Sequence, residues 1–302
     1  MRIFKEIQSL NENTSVALGL FDGLHKGHQE VIKNTVKEKS LQSVVFSFEF
    51  DKEATKPQFS YIFPTSLKFK YLEEMGVDIC ICPKFSDIKN LSPAEFLKIL
   101  KDDFKAKALF CGEDYRFGKE AKGDITLLKS FCDENDIKLC VLPDISESGV
   151  KISSTAIRKA LKDGEIPLAN RLLGRNYGID FPVTDGKKLG RTLGFPTINQ
   201  VYPHGCTLPR FGVYLTKDYI NGKNYYGVTN VGIKPTVTDT PLPSAETTLL
   251  DFEGDLYGEK INLEFLEFIR EEKKFNSIDE LKKQIETDVK KTREIINIAS
   301  NL

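Results

Sequence analysis

The apolar pattern of this 302-residue chain changes character once, near residues 174 to 178, and that switch constrains what it can fold into. Before the switch, strand and helix signals alternate. Ser15 to Leu20 is apolar and strand-like, and Gln29 to Glu38 can form a helix. Ser43 to Phe48 is a strand rich in Val and Phe. Thr65 to Met75 reads as a helix stopped by Gly76, since glycine takes the left-handed C-terminal conformation at least cost. Val77 to Cys82 is a buried strand. Ser92-Pro93-Ala94-Glu95 is a capping box with proline at the first helical position, and it opens a helix to Phe104. Ala108 to Cys111, Ile125 to Cys132 and Lys138 to Leu142 continue the alternation. The pattern predicts an α/β domain, a parallel sheet with helices on its faces.

After Leu173-Gly174-Arg175 the signal is different. From Tyr177 to about Phe268, short strand-like runs are broken by Gly, Pro and Asn, as in Gly212 to Thr216, Tyr225 to Val231 and Ile261 to Phe268. This predicts a mainly β antiparallel barrel. Ser277 to Ala299 is helical, with Ser277 as N-cap and Leu281, Ile285, Val289 and Ile296 near one face. The expected domains are 1–175 and 176–302, with a short joint between them. A chain of this length can bury two ordinary cores.

Composition narrows the partners. The formal net charge is -1, so no global basic field recruits nucleic acid or an anionic membrane. No apolar stretch approaches the ~20 residues that span a bilayer. The start, Met-Arg-Ile-Phe-Lys-Glu, lacks the apolar core of a signal peptide. The six cysteines, Cys80, Cys82, Cys111, Cys132, Cys140 and Cys206, form no Cys-x-x-Cys pair, and their spacing does not suit a structural zinc site. They read as buried thiols in a reducing cytoplasm. A cytoplasmic protein with small-molecule partners, and with neither nucleic acid nor membrane among them, is the expectation. Oligomeric state has no signal in the sequence.

Two stretches carry chemistry. Val16-Ala17-Leu18-Gly19-Leu20 runs into Phe21-Asp22-Gly23-Leu24-His25-Lys26-Gly27-His28, and a helix follows. Glycines let the backbone turn sharply and approach a ligand. A helix N-terminus after a buried strand offers free N–H groups and a dipole that favours phosphate. Histidines spaced His-x-Gly-His there can donate to phosphate oxygens as charge builds. A tight turn with two surface histidines, or a metal-binding pair, would give the same letters. Later, Ile152-Ser153-Ser154-Thr155-Ala156-Ile157-Arg158 precedes a helix. Its hydroxyls can simply cap that helix, or they can join the arginine at a triphosphate. The second stretch runs Gly186-Lys187-Lys188-Leu189-Gly190-Arg191-Thr192-Leu193-Gly194-Phe195-Pro196-Thr197-Ile198-Asn199. Its glycines can bring backbone N–H groups to phosphate, and Thr197 and Asn199 are hard oxygen ligands suited to Mg²⁺. Otherwise it is a Gly-rich barrel turn.

Together these motifs carry a family resemblance. His-x-Gly-His with the later Ser-Ser-Thr-x-Ile-Arg resembles the nucleotidyltransferase superfamily. Gly112-Glu113-Asp114-Tyr115-Arg116-Phe117-Gly118 resembles the FMN-adenylylating bacterial FAD synthetases. Gly-Arg-Thr-x-Gly-Phe-Pro-Thr-x-Asn resembles the flavokinase signature, supported by Gly212-Val213-Tyr214, by Thr229-Asn230-Val231-Gly232-Ile233-Lys234-Pro235-Thr236 and by Glu246-Thr247-Thr248-Leu249-Leu250-Asp251-Phe252. The resemblance implies an α/β nucleotidyltransferase domain on a Rossmann-like parallel sheet, then a mainly β riboflavin-kinase barrel with a terminal helix. It implies a bifunctional enzyme, with ATP as co-substrate, riboflavin and FMN as substrates and Mg²⁺ as cofactor. By the same resemblance, Gly19, Phe21, Asp22, Gly23, Ser153, Ser154 and Thr155 bind nucleotide beside His25, His28 and Arg158, which assist catalysis. Asp114 and Arg116 lie near FMN. Gly190, Arg191, Gly194, Pro196 and Thr197 bind nucleotide in the second half, Thr197 and Asn199 hold the metal, and Glu246 is the catalytic carboxylate. Asp251 and Arg270 bind flavin. The chain departs from the family pattern at Leu20, where Asn is usual, and at Phe50-Asp51-Lys52, where Pro-His-Pro is usual. Thr248 replaces a His, and Phe181 replaces a Gly. A kinase with a weak or altered adenylyltransferase, and a flavin-responsive RNA-binding regulator, are the alternatives.

Overall fold

Thr14–Leu18 is buried at every position, as a strand must be when helices cover both faces of its sheet. It forms the second strand of the protein's computed structural model, which describes residues 1–50, 60–184, 197–233 and 242–300. The chain divides into two compact units, Met1–Ala156 and Ile157–Leu302.

The first unit is built on strands β1 (Arg2–Phe4), β2 (Thr14–Leu18), β3 (Gln42–Phe46), β4 (Ile79–Ile81), β5 (Ala106–Gly112) and β6 (Lys138–Leu142). They lie in the order β1-β4-β3-β2-β5-β6, and every pairing is parallel. Helices α1 (Lys26–Lys37), α2 (Thr65–Glu74), α3 (Phe85–Ile88), α4 (Pro93–Lys98) and α5 (Ile125–Glu134) connect them. The chain fills the sheet outward from β2 through β3 and β4, then returns to β5. The carboxyl end of β2 therefore opens at the switch point where α/β sheets bind ligands. Val16, Leu18, Val44, Phe46, Ile81, Leu109, Phe96 and Phe104 form one buried cluster.

Several element ends differ from the sequence expectation for local reasons. β2 stops before Gly19, where the backbone begins to turn. α1 starts at Lys26, three residues before Gln29, because His25 Nδ1 caps it by accepting from the His28 N–H. The capping box forms, with Ser92 and Glu95 bonded reciprocally. Beyond α4 the helix widens, and Phe104 N–H reaches back five residues to the Ile99 carbonyl. The short hairpin of β7 (Ser146–Glu147) and β8 (Val150–Lys151) had no sequence signal.

The second unit begins with α6 (Ser154–Asp163), which straddles the border, and α7 (Ile166–Leu173). Strands β9 (Tyr177–Ile179), β10 (Val183–Thr184), β11 (Thr197–Val201), β12 (Gly212–Ile220), β13 (Lys223–Ile233), β14 (Pro243–Leu249) and β15 (Leu263–Glu271) follow. They form an antiparallel half-barrel in the order β10-β11-β14-β13-β12-β15-β9. Two register shifts between β12 and β15 sharpen its curvature. Asn170 ties α7 to it, accepting from Tyr177 N–H and donating to the Phe265 carbonyl. On the inner face Thr216, Thr229 and Thr247 join hydroxyls across three strands at 2.8 Å. On the outer face Val213, Leu215, Val228 and Ile269 pack against Val289, Ile295 and Ile296 of α8 (Ile278–Ser300). Ser277 caps α8 as expected, accepting from Glu280 N–H at 3.2 Å.

Asp218 is the costly residue of this core. It is fully buried on β12, and both carboxyl oxygens lack a hydrogen-bond partner among the described residues. Burial pushes its pKa well above the usual carboxylate range, with Glu264 adding to the effect. The folded form therefore keeps a proton that the unfolded chain loses above about pH 4. Stability of this unit should fall as pH rises from there toward neutrality. Asp218→Asn should flatten that dependence and stabilise the unit by about 1–3 kcal/mol at pH 7, read as melting temperature against pH.

Candidate active site

The turn after β2 is held by glycine geometry and two hydrogen bonds to Asp22. A Cβ at Gly19 would lie 3.1 Å from the Phe21 ring, and one at Gly23 (φ +78°) would lie 2.8 Å from Ile62 Cδ1. Phe21 itself is left-handed at φ 53°. Asp22 is buried. Its Oδ1 accepts from Ile62 N–H at 2.9 Å, and its carbonyl accepts from Ser154 Oγ at 2.9 Å. The turn behind β2 and the start of α6 are thus one structure. Ser153 caps α6 by accepting from Ala156 N–H, and Thr155 and Arg158 follow in its first turns. Neither α1 nor α6 has an acidic residue in its first turn, which leaves both N-termini suited to an anion.

The histidines are not surface groups. Their rings stack 3.5 Å apart at 17°, and the Phe21 ring meets His28 edge-on at 5.3 Å. Burial lowers the His25 pKa to about 4. Burial also holds His28 well below its ordinary value, with the charges of His25 and Lys68 adding to the effect. Both rings are therefore neutral at pH 7. Because His25 Nδ1 accepts from the backbone, its proton sits on Nε2. His28 Nδ1 has no partner among the described residues.

Beside Gly19 lies an aromatic cavity of about 400 Å³, walled by Phe46, Phe48, Phe85, Tyr115 and Phe117, with Arg116 on its lining. Tyr115 and Phe117 stack at 5.8 Å and 17°. Such a slot suits a flat ring system. Arg116 is exposed and pairs with Asp124 at 3.5 Å. Asp114 is exposed and does not line the cavity. Phe50, which stands in the variant loop, joins the cluster through Phe85 at 5.1 Å and Phe48 at 5.5 Å. Asp51 and Lys52 lie outside the described residues. The sequence motif pointed to Asp114 and Arg116 but missed Phe48, Phe85 and Phe96 as cavity walls. Only their aromatic density could have flagged them.

In the second unit, Gly190, Arg191, Gly194 and Pro196 lie outside the described residues. Thr197 and Asn199 open β11, and Asn199 stands opposite Glu246 of β14. Thr197 Oγ1 donates to Glu246 Oε1 at 3.1 Å. Asn230 of β13 faces Glu246 from the other side. Thr197, Asn230, Glu246, Thr248 and Arg270 line a cavity of about 180 Å³ under α8. Arg270 grips the Asp288 carboxylate of α8 with Nε and Nη2, at 2.9 and 2.6 Å. Asp251 does not line this cavity and pairs with Arg293 of α8 instead. Phe181 is a core residue packed edge-on to Tyr202. Among the described residues no group of three His, Cys, Asp or Glu side chains could hold a metal by itself. A hydroxyl, an amide oxygen and one carboxylate form a sparse hard-oxygen set, which fits Mg²⁺ that takes its other ligands from phosphate and water.

Comparison with known proteins gives the family. The chain matches the FAD synthetase family over residues 7–156 and the Riboflavin kinase family over residues 173–296. The bifunctional riboflavin kinase/FMN adenylyltransferase of Bacillus subtilis (strain 168) is 38% identical, over 95% of this chain and 93% of its own. The protein of the same description from Escherichia coli (strain K12) is 34% identical over 99% of each. The chain belongs to this bifunctional family. A crystal structure described as a macrolide-efflux protein from Streptococcus pneumoniae is also similar, with a TM-score of 0.84 and 31% identity over 96% of this chain and 98% of that one. Among the described residues here, no helix is long and apolar enough to cross a membrane. The FAD synthetase match falls within the first unit and the Riboflavin kinase match within the second.

The neutral histidines make a direct test. The ring resonances of His25 should stay constant from pH 8 to pH 5 and titrate near 4, read by NMR. Between about 6.5 and 4 the unfolded chain binds more protons than the folded one. Stability of the first unit should therefore fall as pH drops through that window.

Proposed function

We propose that the chain makes FAD from riboflavin in two ATP-dependent steps, each run by one of the two cavities. The carrying observation is the Thr197–Glu246 hydrogen bond in one unit and the stacked, neutral His25–His28 pair at a strand-to-helix turn in the other. The functional border is drawn at 175/176, so Arg158 stays with the adenylylating half.

In the kinase step the ribityl 5′-hydroxyl oxygen attacks the γ-phosphorus of ATP, and ADP leaves. Glu246 orients that hydroxyl and takes its proton. Thr197 holds the carboxylate in one rotamer. Gly190, Arg191, Gly194 and Pro196 cradle the phosphates. Thr197 and Asn199 would hold Mg²⁺, which neutralises phosphate charge when bound. Arg270 and Asp251 border the flavin, Asp251 being paired with Arg293 of α8.

In the second step an oxygen of the FMN phosphate attacks the α-phosphorus of ATP. The new P–O–P linkage forms as the bond to pyrophosphate breaks. The chain supplies no nucleophile. Gly19, Phe21, Asp22 and Gly23 set the turn. His25, His28, Ser153, Ser154, Thr155 and Arg158 position the triphosphate and stabilise developing charge. The isoalloxazine enters the aromatic cavity, with Arg116 and Asp114 toward its phosphate end. Leu20 does not weaken this reading, because the turn is braced there by a backbone carbonyl, which any residue provides. The free state of all six cysteines supports a reducing, cytoplasmic setting.

The test separates the halves. Riboflavin with Mg-ATP, followed by chromatography, should yield both FMN and FAD. His28→Ala should lower FAD formation by about 10²–10³ and spare FMN formation. Glu246→Gln should lower FMN formation by about 10²–10⁴, yet still convert added FMN to FAD. A folded single variant that loses both activities contradicts the two-site assignment.

A further inference from the structure

The floor beneath the histidine turn holds a charge that neither step above uses. Lys68 of α2 is 6% exposed. Its ammonium donates to Ser47 Oγ at 3.0 Å and faces Cys82 Sγ at 3.9 Å. Ser47 in turn donates to the Leu20 carbonyl at 2.8 Å. Leu20 leads directly into left-handed Phe21, Asp22 and the histidines. Among the described residues the polar partners of Lys68 are that hydroxyl and that thiol, and neither is a carboxylate.

A buried ammonium without a carboxylate is expensive, and an apolar side chain of the same length would pack there at lower cost. Stability alone does not explain it. The turn above it lacks positive charge of its own. Both imidazoles are neutral near pH 7, and Lys26 is paired with Glu147 at 2.8 Å. The titratable groups that bear on His28 are His25 on the same turn and Lys68 from α2, and Asp144 bears on His25. His28 Nδ1 lacks a hydrogen-bond partner among the described residues, and the pKa of the Cys82 thiol that faces the ammonium is lowered to about 7, first by its hydrogen bond with Cys80 and further by the Lys68 charge.

We infer that Lys68 is a positioning residue for adenylyl transfer: its buried ammonium braces the Leu20–His28 turn through Ser47 and supplies fixed positive charge beneath the phosphates bound there. This rests on the adenylylation reading. The hydrogen-bond chain fixes geometry, and the charge lets neutral histidines act as donors to an anionic substrate.

The experiment compares the full-length wild type with Lys68→Met, Lys68→Gln and Lys68→Arg. FAD formation from FMN and Mg-ATP, FMN formation from riboflavin, and melting are measured for each. Lys68→Met should lose at least about tenfold in kcat/KM for ATP in FAD formation. KM for FMN and the FMN-forming rate should hold, the melting temperature should hold or rise, and Lys68→Arg should recover most of the loss. The acid limb of the FAD-forming rate should move to higher pH in Lys68→Met, since His28 loses a neighbouring cation. A well-folded Lys68→Met that keeps FAD formation within about twofold overturns the inference. So does unfolding of the first unit in both neutral variants, which would make Lys68 a packing residue. A wild type that forms no FAD at all instead sinks the adenylylation reading, and is recognised before any variant is compared.

Discussion

Asp22 is where the first unit is joined together. Its carboxylate accepts a backbone N–H from Ile62, just before α2, and its carbonyl accepts the Ser154 hydroxyl at the start of α6. One buried residue therefore links the turn after β2 to two segments far away in sequence. Together with the Ser47–Leu20 bond, those bonds enforce the left-handed Phe21 and the close approach of Gly23 to Ile62. The histidine stack depends on the same bonds, because the cap that starts α1 follows directly from the turn.

The second unit solves a related problem with strand alternation. Along β14, Thr247 points into the core and closes the threonine ladder, while Glu246 and Thr248 point outward to the cavity. The hydroxyl ladder fixes the register of three strands. A slip of one residue would exchange the two sets and bury the carboxylate. The position of Glu246 and the packing of the core are thus set by the same pairing. The outward face also receives α8, whose Asp288 holds Arg270 at the cavity wall.

Much of this was legible in the residues. Alternation of strand and helix up to Leu173, and short strands after Tyr177, foretold a parallel sheet and an antiparallel half-barrel. Motifs foretold the turn, the α6 start and the Thr197–Glu246 region. Hidden were the features that depend on distant partners. His25 as an N-cap, the anchoring of Asp22, and Arg270 facing Asp288 are long-range or side-chain events with no periodic signature. The aromatic cavity was hidden for another reason. Its walls come from β3, the segment after β4, α4 and the loop after β5, and no short motif spans them. Asp251 belongs to the same motif as Glu246 but pairs with Arg293 of α8 instead of lining the cavity.

The Ser154–Asp22 hydrogen bond also imposes an order on biogenesis. As the polypeptide leaves the ribosome, β2 and its turn emerge early, but they wait for the start of α6 before their last brace exists. The Glu246 cavity waits longer, until α8 brings Asp288 to Arg270. The histidine turn and the Glu246 cavity are therefore finished one after the other, the first while the strands of the second are still being made.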